Sequence, residues 1–408
     1  MTTPRFIQIS TLHSFPAALL NRDDSGLAKR MPFGGVIRTR VSSQCLKRHW
    51  RLADDEFALA KADPELHNSV RSRALYRIKI ADALQKEGVP QPVVEAVLTE
   101  FQKSLYGESA KAGKKAKNEA EEAKSPLDRS EVLVLGEPEI RFLTEEARPI
   151  CQQAGEDAKK AAEAAKDHLK KKKVRDAFLA LKYGAGIDGA LFGRFVSGDP
   201  EARVSAAVHV AHALTVHPEC SETDYFTAVD DLLTAVEGGS GHLGAAELTS
   251  GLYYNYVVVD VPLLVSNLNG NKSDAANPDQ WLKEDRSLAG RVVRNLIHLV
   301  ATVSPGAKLG ATAPYDYAGL VLVEAGSRQP RTLANAFLEP VRLDRPELFP
   351  RSVQALSTYL EQMDAMYGNQ EQRWLACRLP ETNLPGAARL SLPQAAQAAE
   401  EAIKAGQA

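Results

Sequence analysis

A short segment near the start of the chain carries an unusual concentration of positive charge. The residues FGGVIRTRVSSQCLKRHWR, at positions 33–51, include five Lys or Arg and one His, and neither Asp nor Glu occurs from residue 25 to residue 53. Basic side chains with few nearby carboxylates are suited to binding phosphate groups. A solvated basic surface is the alternative interpretation, because most runs of like charge simply face solvent.

The elements predicted for this segment would gather its side chains on one surface. VIRTRV predicts a strand with Arg38 and Arg40 on one face, and Ser42 is a suitable N-cap for a following helix. Leu46 and Trp50 would bury one face of that helix. The opposite face would carry Gln44, Lys47, Arg48 and Arg51. Free N–H groups at the helix N-terminus, a serine hydroxyl and a basic stripe together predict a phosphate-binding surface.

Two neighbouring carboxylates lie just before this segment. Asp23 and Asp24 in NRDDSG suggest metal-assisted RNA cleavage, which requires carboxylates gathered around a metal ion. A turn held by an aspartate side chain, with a salt bridge to Arg22, explains the same residues without catalysis. We favour the structural explanation and keep cleavage as the competing function.

Three further patterns are better explained by structure than by chemistry. The glycines of YGAGIDG have the G-x-G-x-x-G spacing, but a strand-like ALFGRF follows where a dinucleotide site needs a helix. The histidines of HVAHALTVH would point to both faces of a strand, which argues against a metal site. The aromatic run YYNY at a strand start predicts core packing rather than a base-stacking platform.

The composition limits the classes of protein that the chain can represent. Its 408 residues include 50 Lys or Arg and 52 Asp or Glu, so the formal net charge is −2 and any nucleic-acid surface must be local. The 4 cysteines are scattered without a CxxC motif, which predicts free thiols. Apolar runs of membrane-spanning length and a signal-peptide core are both absent. We therefore expect a cytoplasmic protein that needs no cofactor, metal or membrane.

Outside a helical region at residues 56–182, the predicted elements follow a known order. They are strands at 5–11, 190–197, 204–216 and 318–325, and helices from 43 and at 286–303. This β-α-β-β-α-β order is that of an α+β, ferredoxin-like sheet. The region 56–182 then becomes an insertion, whose Ala/Lys/Glu-rich stretches predict solvated helix or disorder. The last 30 residues have few large apolar side chains, which predicts a partly mobile tail.

Several segments resemble one family. LHSFPAALLNRDDSGLAKRMPFGGVIRTRVSSQCLKRHWR is similar to the N-terminus of the CasC family, the backbone subunit of the type I-E CRISPR Cascade complex. Later segments resemble later parts of that family in the same order: DGALFGRFVS, AAVHVAHALTVH, DYFTAVDDL, GSGHLGAAELTSGLYYNYVVVD, VSPGAKLGATAPYD and LANAFLEPV. The resemblance covers most of the chain outside the helical insertion.

The resemblance implies an architecture of the RAMP superfamily. It consists of an RNA-recognition-motif-like palm at 1–55 and 183–345, a helical finger insertion at 56–182, a thumb hairpin at 219–252 and a C-terminal helix and tail at 346–408. Members of the family line up head to tail along one guide RNA. Their palms hold its backbone, their thumbs displace one nucleotide at regular intervals, and they do not cut it.

The resemblance also implies a set of site residues. The guide contacts would be Lys29, Ser42, Gln44, Lys47, Arg48, Arg51, Arg194 and Lys308, to which the strand residues Arg38 and Arg40 are added. Phe226 and Leu243 of the thumb would wedge against bases. Gly310 and Ala311 leave less positive charge beside Lys308 than the resemblance leads us to expect.

We therefore expect a non-catalytic subunit that polymerises along CRISPR RNA and presents it for pairing with target DNA in antiviral defence. Its partners would be the CRISPR RNA, further copies of itself, other Cascade subunits and, through the guide duplex, target DNA. One alternative is an RNA-cleaving backbone subunit that uses Asp23 or Asp24. Another is a single-strand binder that works without complex partners.

Overall fold

The computed structural model describes residues 3–64, 67–106, 125–171, 173–174, 186–194, 203–229, 240–270 and 278–405. The chain forms two compact units. The sheet unit comprises Met1–Leu59, Val208–Val261 and Arg286–Ala408, and the helical unit comprises Ala60–Ala207 and Pro262–Asp285. The helical unit is therefore longer than the insertion predicted at 56–182, since it also takes in 183–207 and 262–285.

Strands and helices are both abundant, which confirms the α+β class. The described strands are β1 (Phe6–Ala18), β2 (Arg30–Phe33), β3 (Val36–Val41), β4 (Val70–Ser72), β5 (Leu133–Leu135), β6 (Val208–Val210), β7 (Ala213–Thr215), β8 (Ser221–Val229), β9 (Ser240–Asp260), β10 (Leu320–Gly326), β11 (Gln372–Cys377) and β12 (Ala387–Arg389). The described α-helices are α1 (Ser43–Leu52), α2 (Asp82–Lys86), α3 (Gln91–Tyr106), α4 (Glu137–Ala154), α5 (Ala158–Lys170), α6 (Ile187–Phe192), α7 (Val261–Asn269), α8 (Ser287–Thr302), α9 (Leu309–Thr312), α10 (Leu348–Tyr367) and α11 (Leu392–Lys404). Among the helices described, none combines the length and the apolarity that crossing a membrane requires.

β1 lies at the centre of the main sheet, whose strand order is β12-β11-β10-β1-β9-β7-β3-β2. β1 runs antiparallel to β10 on one side and to β9 on the other. The strands β6 and β8 also pair with the long β9. The apolar Ile7 and Ile9 and the polar Gln8 and Ser10 that alternate with them are all buried, because helices cover both faces of the sheet.

Helices pack on the two faces of this sheet. On one face, α10 contributes Val353 and Leu360 to a hydrophobic cluster with Leu12 of β1 and Leu322 of β10. On the other, α8 and α11 pack together, and α11 also contacts β10 and β11. The segment predicted to be a partly mobile tail contains α11. Its four buried apolar side chains are Ala395, Ala396, Ala399 and Ile403. Small side chains allow close helix packing even where large apolar groups are scarce.

A β-hairpin formed by β8 and β9 extends from the sheet. Ser221 lies opposite Thr249 and Phe226 lies opposite Gly244. This hairpin occupies the position predicted for the thumb at 219–252, although residues 230–239 lie outside the described residues. The single strand predicted at 204–216 is instead two short strands, β6 and β7.

The helical unit has a hydrophobic core of its own. Val93, Val97 and Phe101 of α3 recur every fourth position and are buried. One of the two Ala/Lys/Glu-rich stretches, residues 154–173, includes α5, which buries Ala161 and Ala165 in the same core, so that part of it is packed. The other, residues 109–124, lies outside the described residues.

The strand predicted at 190–197 is wrong in its first half, where the chain forms α6. The buried carboxylate of Asp188 accepts hydrogen bonds from the Ser69 N–H at 2.6 Å and the Ser69 hydroxyl at 2.8 Å. The α6 N-cap, Gly186, has φ +84°, and a Cβ there would lie 2.5 Å from the His67 carbonyl oxygen. Contacts with residues 67–69 thus favour the helix at α6, and the apolar pattern of residues 190–197 gives no sign of these contacts.

Candidate nucleic-acid interface

The helix α1 forms as the sequence predicts. The Ser42 hydroxyl accepts a hydrogen bond from the Cys45 N–H at 3.3 Å, which caps the helix. Leu46 and Trp50 are buried. On the opposite face, Gln44 and Arg48 are exposed and Lys47 and Arg51 are half-buried. The first turn contains no acidic residue, so the positive end of the helix dipole is not offset locally.

Asn21 joins the N-terminus of α1 to the loop that carries Lys29. Its side-chain oxygen accepts the Ser42 N–H at 2.9 Å, and its carbonyl oxygen accepts the Lys29 N–H at 3.0 Å. The Lys29 carbonyl in turn accepts the Arg40 N–H at 2.8 Å. One short network therefore holds the backbone of Lys29, Arg40 and Ser42 in fixed relation to one another.

The pKa values of two side chains, Cys45 and His212, respond to the same group of positive charges. Burial raises the pKa of the Cys45 thiol, while the positive charges of Lys29 and Arg48 act in the opposite direction. Burial lowers the pKa of His212, and the charges of Arg40 and Lys29 lower it further. The Arg40 guanidinium donates to His212 Nδ1 at 2.9 Å, so this nitrogen accepts as a neutral imidazole does.

A second loop brings Lys308 to the same part of the sheet unit. His49 Nδ1 donates to the Cys45 carbonyl at 2.8 Å, which leaves Nε2 to accept the Gly306 N–H at 3.4 Å. The Ala307 N–H donates to the Leu19 carbonyl at 2.9 Å. These bonds attach the loop to α1 and to the end of β1, and Lys308 follows directly with its side chain exposed.

The predicted RNA contact at Arg38 is wrong, because its side chain is buried. The guanidinium donates to the carbonyl oxygens of Phe33 at 3.2 Å, Thr215 at 2.9 Å and Phe337 at 2.8 Å. Burial lowers the pKa of this group. Arg38 therefore joins three segments of the sheet unit and presents no donor to a ligand at the surface.

The predicted RNA contact at Arg194 is also wrong. Its Nη1 atom donates to both carboxylate oxygens of Glu139, at 2.7 and 2.8 Å, and both side chains are 0% exposed. This buried ion pair lies within the helical unit. The partner is 55 residues away in the sequence, and the sequence pattern around Arg194 offers no sign of it.

The hairpin exposes aromatic side chains on both of its faces. Phe226 is 45% exposed, and its ring covers Gly244, where a Cβ would lie 2.3 Å from the ring. Tyr225 points to the other face and is 72% exposed. The backbone of Leu243 pairs with Thr227, while the Leu243 side chain lies outside the described residues. The Phe226 ring is thus exposed enough to stack on a base, and sequence reasoning missed Tyr225.

An ionic clamp at the base of the hairpin was also missed. Arg30 of β2 donates to Glu219 at 2.6 Å and pairs with Glu247 of β9. Glu247 also accepts the Ala28 N–H at 2.6 Å. The residues on either side of Lys29 are therefore both held by Glu247, which couples the hairpin to the loop that presents Lys29.

Asp23 and His217, two of the residues considered for metal or cleavage chemistry, make structural contacts. Asp23 accepts the N–H groups of Ser25 and Leu27, each at 3.0 Å, which is a turn of the type predicted. Buried His217 donates through Nδ1 to the Pro218 carbonyl and accepts the Leu252 N–H at Nε2. Across the residues that the structure describes, no three His, Cys, Asp or Glu side chains are grouped as metal ligands.

The aromatic run YYNY packs in the core, as predicted. Tyr253, Tyr254 and Tyr256 are all buried. Burial raises the pKa of Tyr253 and that of Tyr254 to about 12 each. The Tyr254 hydroxyl accepts the Leu333 N–H at 3.0 Å, so its polar atom is satisfied inside the protein.

Comparison with known proteins assigns the chain to a family. A family model described as CT1975-like protein matches residues 7–405. The chain belongs to this family. No curated protein matches it. A solved structure described as "CRISPR RNA-guided surveillance complex, pre-nicking" contains a chain that is 27% identical, with a TM-score of 0.74 and coverage of 98% of this chain and 100% of that chain. A chain of a second structure, described as "CRISPR RNA-guided surveillance complex", is 22% identical, with a TM-score of 0.66 and coverage of 97% of this chain and 99% of that chain. This match shows a shared fold.

Proposed function

We propose that this CT1975-like protein is an RNA-binding backbone subunit of a CRISPR RNA-guided surveillance complex. The observation that carries the proposal is the surface formed by capped α1 and its exposed Arg48, together with Lys29, Arg40 and Lys308. A chain of a solved surveillance complex, matched by 98% of this protein, supports the assignment to such an assembly.

The chemistry of this surface suits a guide RNA of any sequence. Lysine and arginine side chains, a serine-capped helix N-terminus and main-chain N–H groups bind phosphate and sugar, and they do not read base edges. Phe226 adds a ring that can stack on any base. A subunit that must accept every guide needs this combination, because specificity is supplied by base pairing.

The finer assignment follows the sequence resemblance. The subunit would be of the CasC type from a type I-E Cascade complex, acting in the cytoplasm with other Cascade subunits. Copies would pack head to tail along one guide and present it to target DNA. A net charge of −2 favours such packing, since strongly basic copies would repel one another.

The strand order supports a ferredoxin-like palm. β1, β7, β9 and β10 occur in this order along the chain, separated by other elements that include α1 after β1 and α8 after β9. In the sheet they lie in the order β10-β1-β9-β7. Numbered along the chain, that order is 4-1-3-2, and the three pairs within it are antiparallel. Strands β11 and β12 then extend the sheet beyond β10.

Salt-dependent binding of the purified chain to single-stranded RNA tests the proposal. Arg48→Ala should weaken binding equally for unrelated RNA sequences and lower the log–log salt slope by about 0.7 for each phosphate that the variant no longer binds. Lys103→Ala, which removes an exposed lysine of the helical unit, is the matched control and should leave the slope unchanged. An Arg48→Ala variant that changed sequence preference with an unaltered slope would contradict phosphate binding at α1.

The proposal includes the absence of RNA cleavage, for which the turn made by Asp23 is supporting evidence. Incubating the assembled complex with complementary RNA and Mg²⁺ tests this part. The RNA should remain intact with wild-type protein. Regularly spaced cuts that disappear in Asp23→Ala or Asp24→Ala would instead establish a nuclease.

A further inference from the structure

The loop that carries Lys308 also exposes two aromatic rings. We call residues 304–317 the tyrosine loop. Within it, Tyr315 and Tyr317 are each 75% exposed, and Leu309 is 47% exposed. Aromatic side chains are usually at least partly buried, so two strongly exposed tyrosines in one loop point to a ligand.

The tyrosine loop is firmly attached to the sheet unit even though its rings face solvent. The Asp316 N–H donates to the Ser304 hydroxyl at 2.9 Å, and the Asp316 carboxylate accepts the Ser14 N–H at 2.8 Å. Pro314 is buried against Gly306, where a Cβ would lie 2.6 Å from the proline ring. The rings are thus presented on an ordered backbone, which lowers the entropic cost of binding a ligand.

The backbone of the tyrosine loop is also strained. Lys308 has φ +57° and Ala313 has φ +39°, values that residues with a Cβ seldom adopt. Strain of this kind persists where surrounding contacts impose it, and it is concentrated at functional sites. Here the contacts of Gly306, Ala307 and Pro314 impose the conformation that turns Lys308 and the tyrosines outward.

The tyrosine loop carries one basic and one acidic residue, which differ in exposure. Lys308 is exposed, whereas the Asp316 carboxylate is 26% exposed, accepts the Ser14 N–H and lies 3.7 Å from His13. The exposed side chains that can bind a nucleotide are therefore Lys308 and the two uncharged rings. The hydrogen bond from Gly306 to His49 connects this loop to α1, so Lys308 continues the positive charge of the proposed RNA surface.

Two exposed aromatic rings in the same loop as an exposed lysine suit a nucleotide, because the rings can stack on a base while the lysine binds a phosphate. Tyrosine rings accept any base by stacking, as a variable guide requires.

We infer that Tyr315 and Tyr317 form a base-stacking site for the single-stranded RNA whose phosphates are bound by Lys308 and α1. The inference rests on the proposed function and extends it, since it adds a second contact to bases, on an element separate from the hairpin. Stacking on the tyrosine loop would orient one base of the guide while Lys308 neutralises the adjacent phosphate.

The test compares ring deletion with ring retention in the full-length chain bound to a short, fluorescently labelled single-stranded RNA. Tyr315→Ala and Tyr317→Ala should each weaken binding about fivefold or more, the lower limit for one stacked base. Their salt slopes should equal that of wild type, because the same phosphates remain bound. Tyr315→Phe should bind normally, and Tyr367→Ala, which removes a 56% exposed tyrosine at the end of α10, is the matched control.

Three outcomes would overturn the inference, and each is distinguishable. Normal binding by both alanine variants, while Arg48→Ala still lowers the salt slope, would refute base stacking and leave the proposed function intact. Normal binding to the short RNA with loss of multi-copy assembly on a long RNA would identify the loop as a protein contact. Absence of RNA binding by folded wild-type protein would remove the proposed function and this inference together.

Discussion

Replacing Arg194 tests whether its charge serves the fold or an RNA. Arg194→Met removes one partner of a pair in which both side chains are 0% exposed, and it leaves the Glu139 carboxylate buried without its cation. Breaking a buried pair in this way costs about 3–5 kcal/mol. Glu139 would keep the hydrogen bond from the Gly136 N–H at 2.8 Å, so we expect the lower value, about 3 kcal/mol.

Hydrogen exchange of the α4 amides measures this change locally. A loss of about 3 kcal/mol should accelerate their exchange about 150-fold when exchange proceeds through unfolding of the helical unit. Adding Glu139→Gln removes the buried charge and should restore more than half of the protection. Arg141→Met alters an exposed arginine of the same helix and should change stability by less than about 0.5 kcal/mol.

The burial argument and the RNA-contact hypothesis predict opposite results for Arg194→Met. Burial predicts faster exchange in α4 with an unchanged salt slope for RNA binding. An RNA contact predicts normal exchange and a slope lowered by about 0.7. The second pattern would refute our interpretation of the Arg194–Glu139 pair.

Three further predictions concern the sheet unit. Glu247→Gln should break the ion pair to Arg30 and accelerate exchange at the base of the hairpin about fivefold, since a partly exposed pair contributes about 1 kcal/mol. Bound RNA should slow alkylation of Cys45, because a nearby phosphate raises the pKa of the thiol. Arg48→Ala should also slow this alkylation, because the substitution removes a positive charge that lowers the pKa of Cys45. Burial lowers the pKa of His217, so the unfolded chain binds this proton more readily and stability should fall as the pH drops below about 6.5. His217→Gln should reduce that dependence, as measured by denaturant unfolding at pH 7 and pH 5.

Each of these predictions has a control within the chain. Glu222→Gln changes an exposed carboxylate of the same hairpin, and equal effects of the two substitutions would contradict the clamp. Alkylation is measured with Cys220 replaced by serine, because that thiol is exposed, and an unchanged Cys45 rate on RNA binding would argue against phosphate near α1. His209→Gln alters an exposed histidine and should retain the wild-type pH dependence.

Local patterns were sufficient for several elements. The Ser42 cap and the buried pair Leu46 and Trp50 define α1 within ten residues of sequence, so spacing alone predicted the helix and its polar face. Val93, Val97 and Phe101 recur every fourth position, which is a helical spacing, and all three are buried in α3. These elements are specified by neighbours along the chain, and tertiary packing agrees with them.

The errors share a physical cause. The pattern around Arg38 and Arg194 is that of exposed basic residues, yet their partners are carbonyl oxygens and a carboxylate from distant segments. The strand-like pattern after Gly186 became α6, where the buried Asp188 carboxylate binds Ser69. Long-range partners of polar groups leave no periodic signal in the sequence.

Residues 42–51 are enough to specify a helix with a capped N-terminus and a basic face, because caps and periodicity act between residues a few positions apart. Which positive charges reach the surface depends instead on long-range packing, since burial of an arginine requires acceptors supplied from elsewhere in the fold. Long-range packing also decided the presentation of Lys308, Tyr315 and Tyr317, whose loop is shaped by bonds to β1 and α1.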